Sequence, residues 1–485
     1  MFQTAEFALL TLLTFSCVWL LKDRRQLRIA LLLVVSYYFF IRTNLSHPLR
    51  AVHPGTFSAL RTTGITLGLF LFSSTFDFFV GKRIADESSR KRQQYLVAAS
   101  VAVNLAILCG FKYFDFFYNE FARLFNVQKQ GNFQLLFPIG ISFYTFQSIS
   151  YIVDVYRRKV PATRRYTTYL LYLAFFPQLI MGPIVRAERL IPALEGRPVL
   201  TSEMGSDAVM RIGIGIVKKL AIADFLRAHM VDPVFSNPEM YSTAETLIAV
   251  YAYAFQIWAD FSGYTDMAVG IAALLGVSLP ENFNAPYQAK SVREFWNRWH
   301  ITLSTWLRDY LYIPLGGSRG SKGRTYLNLM ITMVLGGLWH GPAMTFLIWG
   351  AIHGVALVVN HIIKDKQLLS RLPGYSGDAV AQLITFHVIT GAWVFFRAPT
   401  FASAVAVYKN LVRGDFGTEN ISTGVAAVLI CTAVVHFLPT SLYARTKETF
   451  RRLPAPVQAA LLITTIFVAK WTASTQVSPF IYTQF

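Results

Sequence analysis

The sequence predicts an all-α, polytopic membrane protein, whose chain crosses the bilayer many times. Hydrophobic residues fill 54% of the 485 positions and charged residues only 15%, a balance typical of membrane proteins and not of soluble enzymes. The apolar residues gather in runs of roughly 15 to 20, about the length that a membrane helix needs. Cations gather between these runs, as in cytoplasmic loops beside anionic lipid, so the net charge of +19 does not indicate a nucleic-acid partner.

The apolar runs predict roughly 11 to 14 transmembrane or re-entrant helices, because several runs are short or interrupted. They lie near residues 5–21, 27–42, 64–81, 95–117, 135–155, 167–184, 208–224, 243–260, 261–277, 326–340, 343–363, 381–397, 422–438 and 456–472. No long linker or internal repeat divides the chain, so we expect a single domain over residues 1–485. Its parts are N-terminal helices over 1–60, a core over 60–400 and C-terminal helices over 400–485. Connecting loops are expected near 186–207, 279–295, 364–380 and 411–421.

The distribution of cations predicts the orientation of the first helices. No positive charge precedes residue 22, whereas Lys22, Arg24, Arg25 and Arg28 follow the first run. Because cations favour the cytoplasmic side, the N-terminus is expected outside the cytoplasm. The first run lacks a basic region before it and a small-residue cleavage site after it, so we expect an uncleaved helix and not a signal peptide.

Polar residues inside the apolar runs are costly in lipid, so they should face the interior of the helix bundle. They are Asp77, Asp115, Gln147, Gln178, Gln256, Asp260 and Asp266. Asp260 and Asp266 could form an acid–base pair or a metal site. No His or Cys stands near them at ligand spacing, so structural hydrogen bonding is the favoured interpretation and no metal site is predicted.

Two runs are interrupted by proline and glycine. The run from residue 137 to 147 contains Pro138 and Gly140, and the next contains Pro177 and Gly182-Pro183. Broken helices around a central cavity would explain both interruptions. Close helix packing by small residues explains them equally well.

The stretch from Arg293 to Gly354 carries the densest chemistry, including His300, His340 and His353. Its first part predicts one amphipathic helix. The apolar face of that helix would carry Trp296, Trp299, His300, Leu303, Trp306, Leu307 and Tyr310. Trp and Tyr favour the membrane interface, which places this helix near a membrane surface; a Trp-rich core helix is the alternative.

The middle part, from Leu315 to Arg324, combines four glycines with Arg319, Lys322 and Arg324. Glycines let backbone N–H groups approach an anion, and the cations supply charge for phosphate. The spacing matches no established phosphate-binding motif. A positive-inside cytoplasmic loop explains the same composition.

The last part predicts an apolar helix from Tyr326 to His340 that ends at Gly341-Pro342. Fifteen residues at ~1.5 Å each span ~22 Å, less than the ~30 Å hydrocarbon core, so His340 should lie inside the membrane. An ionisable residue at that depth is a functional-site hypothesis, and the carbonyl end of a helix favours imidazolium. A histidine bonded to a carbonyl of a neighbouring helix is the alternative.

Four segments together resemble the membrane-bound O-acyltransferase family. They are Trp296-Asn297-Arg298-Trp299-His300, the run from Tyr312 to Arg319, Leu338-Trp339-His340-Gly341, and the run from Phe137 to Phe146. The resemblance covers about residues 60 to 400 and points to the bacterial branch that O-acetylates alginate, cellulose or peptidoglycan. It implies that His340 and His300 are the catalytic positions, and that a tunnel lies between the two faces of the membrane.

The resemblance also implies the reaction and its participants. Acetyl-CoA would be the acyl donor, entering as a substrate and not as a bound cofactor, and the acceptor would be a hydroxyl of an exported polysaccharide. Transfer would be direct or through periplasmic partner proteins, at the bacterial inner membrane among its lipids, with the N-terminus periplasmic. We expect His340 to act as general base and His300 to orient the substrate or stabilise the oxyanion.

The motif residues Trp296, Asn297, Arg298 and Trp339 are expected to line the substrate site, and Arg319, Lys322 and Arg324 to contact the phosphates of CoA. Two other functions remain open on the sequence alone. A transporter or channel would also have many helices and buried carboxylates. An acyltransferase for lipid or protein acceptors would share the histidine motifs.

Overall fold

The computed structural model describes residues 4–45, 56–125, 139–180, 182–365 and 374–472. The structure is 81% helical, and no strand occurs in the described ranges, which confirms the predicted all-α class. The chain divides into two compact units, Met1–Ala208 with Ala268–Pro280, and Val209–Met267 with Glu281–Phe485. We call them unit 1 and unit 2 and describe each by itself; the expected single domain over residues 1–485 stays a prediction.

Unit 1 is built from the first nine helices and the start of the tenth. They are α1 (Ala5–Leu20), α2 (Arg25–Leu45), α3 (Thr56–Asp86), α4 (Arg90–Lys112), α5 (Phe114–Leu124), α6 (Ile141–Tyr156), α7 (Tyr166–Ala174), α8 (Phe176–Leu179), α9 (Ala187–Glu195) and α10 (Ser202–Ile216). Helix α9 lies where a connecting loop was predicted over 186–207, so that prediction is wrong. Its apolar residues Leu190 and Leu194 are buried, and their four-residue spacing gives it one buried face.

The core of unit 1 lies around α6, which is buried along nearly its whole length. Gly140, directly before it, has φ +84°, and a Cβ there would lie 2.9 Å from the carbonyl oxygen of Leu179 in α8. Only glycine adopts this positive φ and leaves room for the carbonyl oxygen without strain. The two interruptions predicted from proline and glycine therefore pack against each other, while Phe137 and Pro138 lie outside the described residues.

A polar cluster inside unit 1 accounts for one of the predicted buried carboxylates. Asp77 is fully buried and accepts hydrogen bonds from Ser100 Oγ (2.6 Å) and Asn104 Nδ2 (2.8 Å). Asn104 Oδ1 in turn accepts one from Ser73 Oγ at 3.0 Å. These bonds join α3 to α4 in place of the water that the carboxylate loses on burial.

Unit 2 contains the remaining helices and three described π-helical segments. The π segments are Val217–Asp224, Arg227–Val231 and Arg308–Tyr312. The α-helices are α11 (Asp232–Ser236), α12 (Thr243–Leu274), α13 (Val292–Arg298), α14 (Ile301–Leu307), α15 (Lys322–His340), α16 (Met344–Asp365), α17 (Gly374–Arg397), α18 (Phe401–Leu411), α19 (Thr423–Phe437), α20 (Thr440–Arg452) and α21 (Ala455–Thr472). The end of α10 belongs to unit 2, and the division of the chain also falls within α12. The two runs predicted near 243–260 and 261–277 are one helix, α12, since Ser262 and Gly263 continue it without a break.

Six described helices are long and apolar enough to span a membrane, and a seventh span results if α19 and α20, bent by 95°, count as one. The six are Arg25–Leu45, Leu60–Asp86, Arg90–Lys112, Met344–Ile363, Gly377–Arg397 and Ala455–Thr472. This agrees with a multi-pass membrane protein. The larger predicted number of 11 to 14 also counted short and broken runs, and it stays a prediction, as do the interfacial helices and the tunnel.

Candidate active site

Helix α15 carries His340 as its last residue. The helix begins at Lys322, where Ser321 Oγ caps it by accepting the N–H of Arg324, and it ends before the extended Gly341. The predicted end at His340 is confirmed. The start lies four residues earlier than predicted, so its 19 residues span ~28 Å, close to the ~30 Å hydrocarbon core. The length argument for His340 inside the membrane therefore fails, and its depth stays a prediction.

Close packing against α16 fixes the end of α15. A Cβ on Gly337 would overlap the carbonyl oxygen of Phe346 and lie 3.2 Å from Gly350, and one on Gly350 would overlap the carbonyl oxygen of Met333. Glycines at these positions let the two backbones approach each other. The tight pairing holds His340 on α15 beside Trp349 on α16.

His340 is buried among aromatic rings, with 3% of its surface exposed. Its ring centroid lies 5.0 Å from Trp339, 5.0 Å from Trp349 and 5.2 Å from Phe396 of α17. The carbonyl end of a 19-residue helix carries partial negative charge, which favours a proton on the imidazole. His340 thus combines burial, an aromatic enclosure and a position that supports proton uptake.

His300 lies at a break in the backbone and not within a helix. Helix α13 ends at Arg298 and α14 begins at Ile301, with His300 between them in the left-handed region at φ +41°. The single amphipathic helix predicted over this stretch is therefore wrong. Left-handed geometry is uncommon for a residue with a Cβ, and it persists only where surrounding contacts enforce it.

Asn282 supplies those contacts. Its backbone carbonyl accepts the N–H of Ile301 at 2.9 Å. Its side-chain oxygen accepts both the N–H (3.1 Å) and the Oγ1–H (2.9 Å) of Thr302, and it lies 3.2 Å from Nδ1 of His300. Asn282 and His300 are both fully buried. One asparagine therefore holds the first turn of α14 and the imidazole together.

The surroundings of His300 are apolar. Its ring lies 4.7 Å from Phe261 and 6.1 Å from Trp339, centroid to centroid. Burial lowers the pKa of His300 to about 3, so this imidazole is neutral at physiological pH. Its Nε2 atom is buried and has no hydrogen-bond partner among the described residues.

His353 on α16 is the third buried histidine of this region. Trp296 Nε1–H donates to its Nδ1 at 3.2 Å, and its ring lies 4.7 Å from Trp349. An indole nitrogen only donates, so Nδ1 of His353 is the acceptor and Nε2 carries the hydrogen in the neutral ring. Within the part of the chain that the structure describes, this Nε2 atom has no hydrogen-bond partner.

These side chains form one continuous group in unit 2, which we call the histidine cluster. Its members are His300, Trp339, His340, Trp349 and His353, joined in that order by ring contacts of 6.1, 5.0, 5.0 and 4.7 Å. The predicted residue Trp296 joins it at 5.8 Å from Trp349. The structure thus brings together both predicted catalytic histidines and two of the motif tryptophans.

The tryptophans of α13 and α14 favour one of the two sequence interpretations. Trp296, Trp299 and Trp306 are at most 7% exposed and pack within unit 2. Rings enclosed by protein are not placed against acyl chains. The burial of these rings agrees with the core interpretation, and the location of α13 and α14 relative to the membrane surface stays a prediction.

Five other predicted site residues lie outside the histidine cluster. Asn297 is exposed, and Arg298 is engaged by Glu294 at 2.8 Å. Arg319, Lys322 and Arg324 are exposed around the start of α15. The 18 steps from Lys322 to His340 correspond to ~27 Å along the helix, so these cations do not touch the cluster.

The sequence interpretation missed Asn282 and left His353 unassigned. His353 is an ionisable residue inside an apolar run, the same signal that singled out His340, and could have been found in this way. Asn282 belongs to a stretch interpreted as a connecting loop over 279–295. Nothing in its local sequence pairs it with His300, because that contact depends on the tertiary fold.

A second buried polar group in unit 2, which we call the lysine cluster, consists of Lys219, Asp224 and Asp260. Lys219 Nζ lies 2.8 Å from Asp224 and 2.7 Å from Asp260, with all three side chains at most 4% exposed. Nearby, Asp266 pairs with Arg211 (3.0 Å) and Lys218 (2.7 Å). Both predicted carboxylates are thus ion-paired, which supports the structural interpretation of Asp260 and Asp266.

Comparison with known proteins assigns the chain to a family. The model of the membrane-bound O-acyltransferase family matches residues 1–398. The chain is 42% identical to the "Probable alginate O-acetylase AlgI" of Pseudomonas aeruginosa over 73% of this chain and 67% of that protein. It is 35% identical to the "Peptidoglycan O-acetyltransferase" of Helicobacter pylori over 71% and 70%, respectively. It is 28% identical to the "Teichoic acid D-alanyltransferase" of Bacillus subtilis over 54% and 69%.

The family match covers most of the chain, including α13 to α16 with His300, His340 and His353. It agrees with the helical class and with the six helices long enough to cross a membrane. The resemblance drawn from the sequence motifs is therefore confirmed, and the chain belongs to the membrane-bound O-acyltransferase family.

Proposed function

We propose that this protein transfers an acetyl group from acetyl-CoA to a hydroxyl of an exported polysaccharide. The relatives named as alginate and peptidoglycan O-acetylating proteins, at 42% and 35% identity, support this acceptor class. The observation that carries the proposal is the position of His340, buried in aromatic side chains at the carbonyl end of α15 and within one cluster with His300.

His340 acts as the general base in this proposal. The acceptor hydroxyl oxygen attacks the thioester carbonyl carbon while its proton moves to the imidazole of His340. The C–S bond then breaks, and the proton passes to the departing thiolate, so that the products are an acetyl ester and free CoA thiol. The helix carbonyl end stabilises the imidazolium that forms between these two steps.

Two roles suit His300 in this reaction, as expected from the sequence. It orients the acceptor, or it stabilises the oxyanion that forms on the thioester carbonyl, for which a positioned donor is worth ~3 kcal/mol. The aromatic walls formed by Trp339 and Trp349 exclude water from the reacting groups, which strengthens either interaction.

The cations around the start of α15 are the proposed contact for the phosphates of CoA. Arg319, Lys322 and Arg324 are exposed, and backbone N–H groups at a helix N-terminus favour anions. CoA carries its phosphates at one end of a long arm and its thioester at the other. A single bound CoA molecule is therefore compatible with phosphates at these cations and a thioester near His340 at the other end of α15.

The proposed function includes a location in the cell. We place the protein in a bacterial inner membrane with its N-terminus in the periplasm, because cations follow the first helix and do not precede it. The acetyl group would reach the polysaccharide directly or through a periplasmic acetyltransferase partner. Membrane lipid surrounds the spanning helices.

Purified protein in proteoliposomes tests this function. Radiolabelled acetyl-CoA is supplied on one side, with alginate oligosaccharides, peptidoglycan fragments or lipid as acceptors, and the acetylated product is measured. We expect label on a carbohydrate hydroxyl together with stoichiometric release of CoA thiol. Label on lipid alone would indicate a lipid acyltransferase. Solute flux without any thioester cleavage would contradict the proposal and indicate a transporter.

A further inference from the structure

Three hydrogen bonds at the side chain of Asn282 determine the protonation of His300. The backbone N–H of Thr302, 3.1 Å from Oδ1, can only donate. An amide nitrogen carries hydrogens and offers no lone pair, so the atom facing this N–H must be the amide oxygen. The same oxygen lies 3.2 Å from Nδ1 of His300. Because the oxygen accepts, Nδ1 of His300 must carry the hydrogen.

A neutral imidazole with its hydrogen on Nδ1 has a lone pair on Nε2. Burial keeps His300 neutral, since the rings of Phe261, Phe283 and Trp339 that surround it offer no counter-charge. The Nε2 atom has no hydrogen-bond partner in the described ranges. His300 therefore presents a free acceptor on the side of its ring away from Asn282.

We infer that Asn282 is a positioning residue, which holds His300 as the Nδ1–H tautomer so that its Nε2 accepts a hydrogen bond from an O–H group of the acceptor substrate. The inference rests on the proposed function and chooses between the two roles of His300. A lone pair can orient a hydroxyl, but it cannot donate to an oxyanion. His300 thus belongs to the acceptor side of the reaction.

The neutral side chain of Asn282 suits this role better than an aspartate would. An aspartate at position 282 would offer the same acceptor oxygen but would add a negative charge next to the ring. That charge would stabilise imidazolium and raise the pKa of His300. A proton on Nε2 would then remove the lone pair. The neutral amide fixes the tautomer without promoting protonation.

Two substitutions at Asn282 separate these effects. Asn282→Leu removes the acceptor for Nδ1–H, and Asn282→Asp keeps the acceptor but adds charge. Asn284→Leu and Asn284→Asp serve as matched controls, because Asn284 lies two residues away with an exposed side chain. For each variant, acetyl transfer is measured in proteoliposomes against the concentration of each substrate and from about pH 5 to about pH 9.

We expect Asn282→Leu to lower kcat/KM for the acceptor on the order of 10- to 100-fold, as when other histidines lose their orienting partner. The KM for acetyl-CoA should not change. Asn282→Asp should be active at high pH and lose activity as the pH falls through the raised pKa of His300. In wild type, His300 should stay neutral across this pH range and cause no loss of activity. Titration of His340 affects wild type and Asn282→Asp equally, so the difference between their pH profiles reports on His300.

A direct readout does not depend on activity. The ¹⁵N NMR signals of histidine-labelled protein distinguish the two tautomers, and the His300 signal is identified by its absence in His300→Gln. We expect hydrogen on Nδ1 in wild type. Hydrogen on Nε2, or identical pH profiles of Asn282→Asp and wild type, would overturn the inference while the proposed function stands. Absence of acetyl transfer by wild type would instead overturn the proposed function.

Discussion

The histidine cluster and the lysine cluster are both buried and polar, yet their polar atoms are used differently. Lys219 pairs with two carboxylates at 2.7 and 2.8 Å, so its charge is already compensated within the fold. In the histidine cluster, His300 and His353 make ring contacts and hydrogen bonds to neutral groups. Within the described part of the chain, Nε2 of His300, Nε2 of His353 and Nε1 of Trp349 lack hydrogen-bond partners.

Burial alone does not distinguish the two clusters, and Oδ2 of Asp224 in the lysine cluster also lacks a hydrogen-bond partner among the described residues. What distinguishes them is the charge of Lys219, which two carboxylates compensate. A buried polar atom without a partner costs roughly 1–3 kcal/mol, so several such atoms in one place indicate that a substrate or water supplies their hydrogen bonds. In the lysine cluster, the ion pair between Lys219 and Asp260 instead joins the π-helical segment Val217–Asp224 to α12. We therefore expect substitutions in the lysine cluster to reduce stability, and those in the histidine cluster to reduce activity.

Lys219→Met should reduce the stability of the protein strongly. Removing this lysine leaves Asp224 and Asp260 buried without their cation, which should lower the free energy of unfolding by about 3–5 kcal/mol. Thermal unfolding in detergent, followed by circular dichroism, measures the change. Lys409→Met on the exposed face of α18 is the control and should change stability by less than about 0.5 kcal/mol. A stable but inactive Lys219→Met protein would reverse our assignment of the lysine cluster.

His353→Phe tests whether His353, which the sequence interpretation left unassigned, takes part in the reaction. The substitution keeps an aromatic ring beside Trp349 but removes the Nε2–H donor, and loss of one donor at a reacting group lowers kcat roughly 100-fold. Acetyl transfer and the unfolding midpoint should be measured on the same preparation. If kcat is unchanged while the midpoint falls, His353 only packs the core and does not belong to the site.

The smallest expected effect concerns the exposed cations at the start of α15. Replacing Arg319, Lys322 and Arg324 together by glutamine should raise the KM for acetyl-CoA by about 10-fold with little change in kcat, because exposed charges each contribute less than ~1 kcal/mol. Raising the salt concentration should weaken wild-type binding in the same way. Arg445→Gln with Lys447→Gln on α20 provides a control that also removes surface charge. An unchanged KM would reject the proposed phosphate contact.

The sequence alone predicted the membrane class, the end of α15 at His340 and the burial of Asp77 and Asp260. These features depend on local composition, on Gly341-Pro342 and on the cost of placing a carboxylate in lipid, and each can be evaluated from a short stretch.

The break at His300 could not be predicted in this way. The apolar periodicity from Trp296 to Tyr310 fits one continuous helix, but the backbone and side chain of Asn282 hold the chain in left-handed geometry at His300. Asn282, which makes these contacts, lies 18 residues before His300 in the chain. Helical periodicity cannot detect a contact of this kind, and the Asn282–His300 pair was missed for the same reason.

His340 is the proposed site of acyl transfer, and its replacement by alanine tests this role. Acetyl transfer from acetyl-CoA is compared between wild type and His340→Ala in proteoliposomes, with His229→Ala as a control at an exposed histidine. Loss of the general base should reduce transfer on the order of 1,000-fold in protein that remains folded, and His229→Ala should remain fully active. Wild-type transfer by a folded His340→Ala protein would contradict the account.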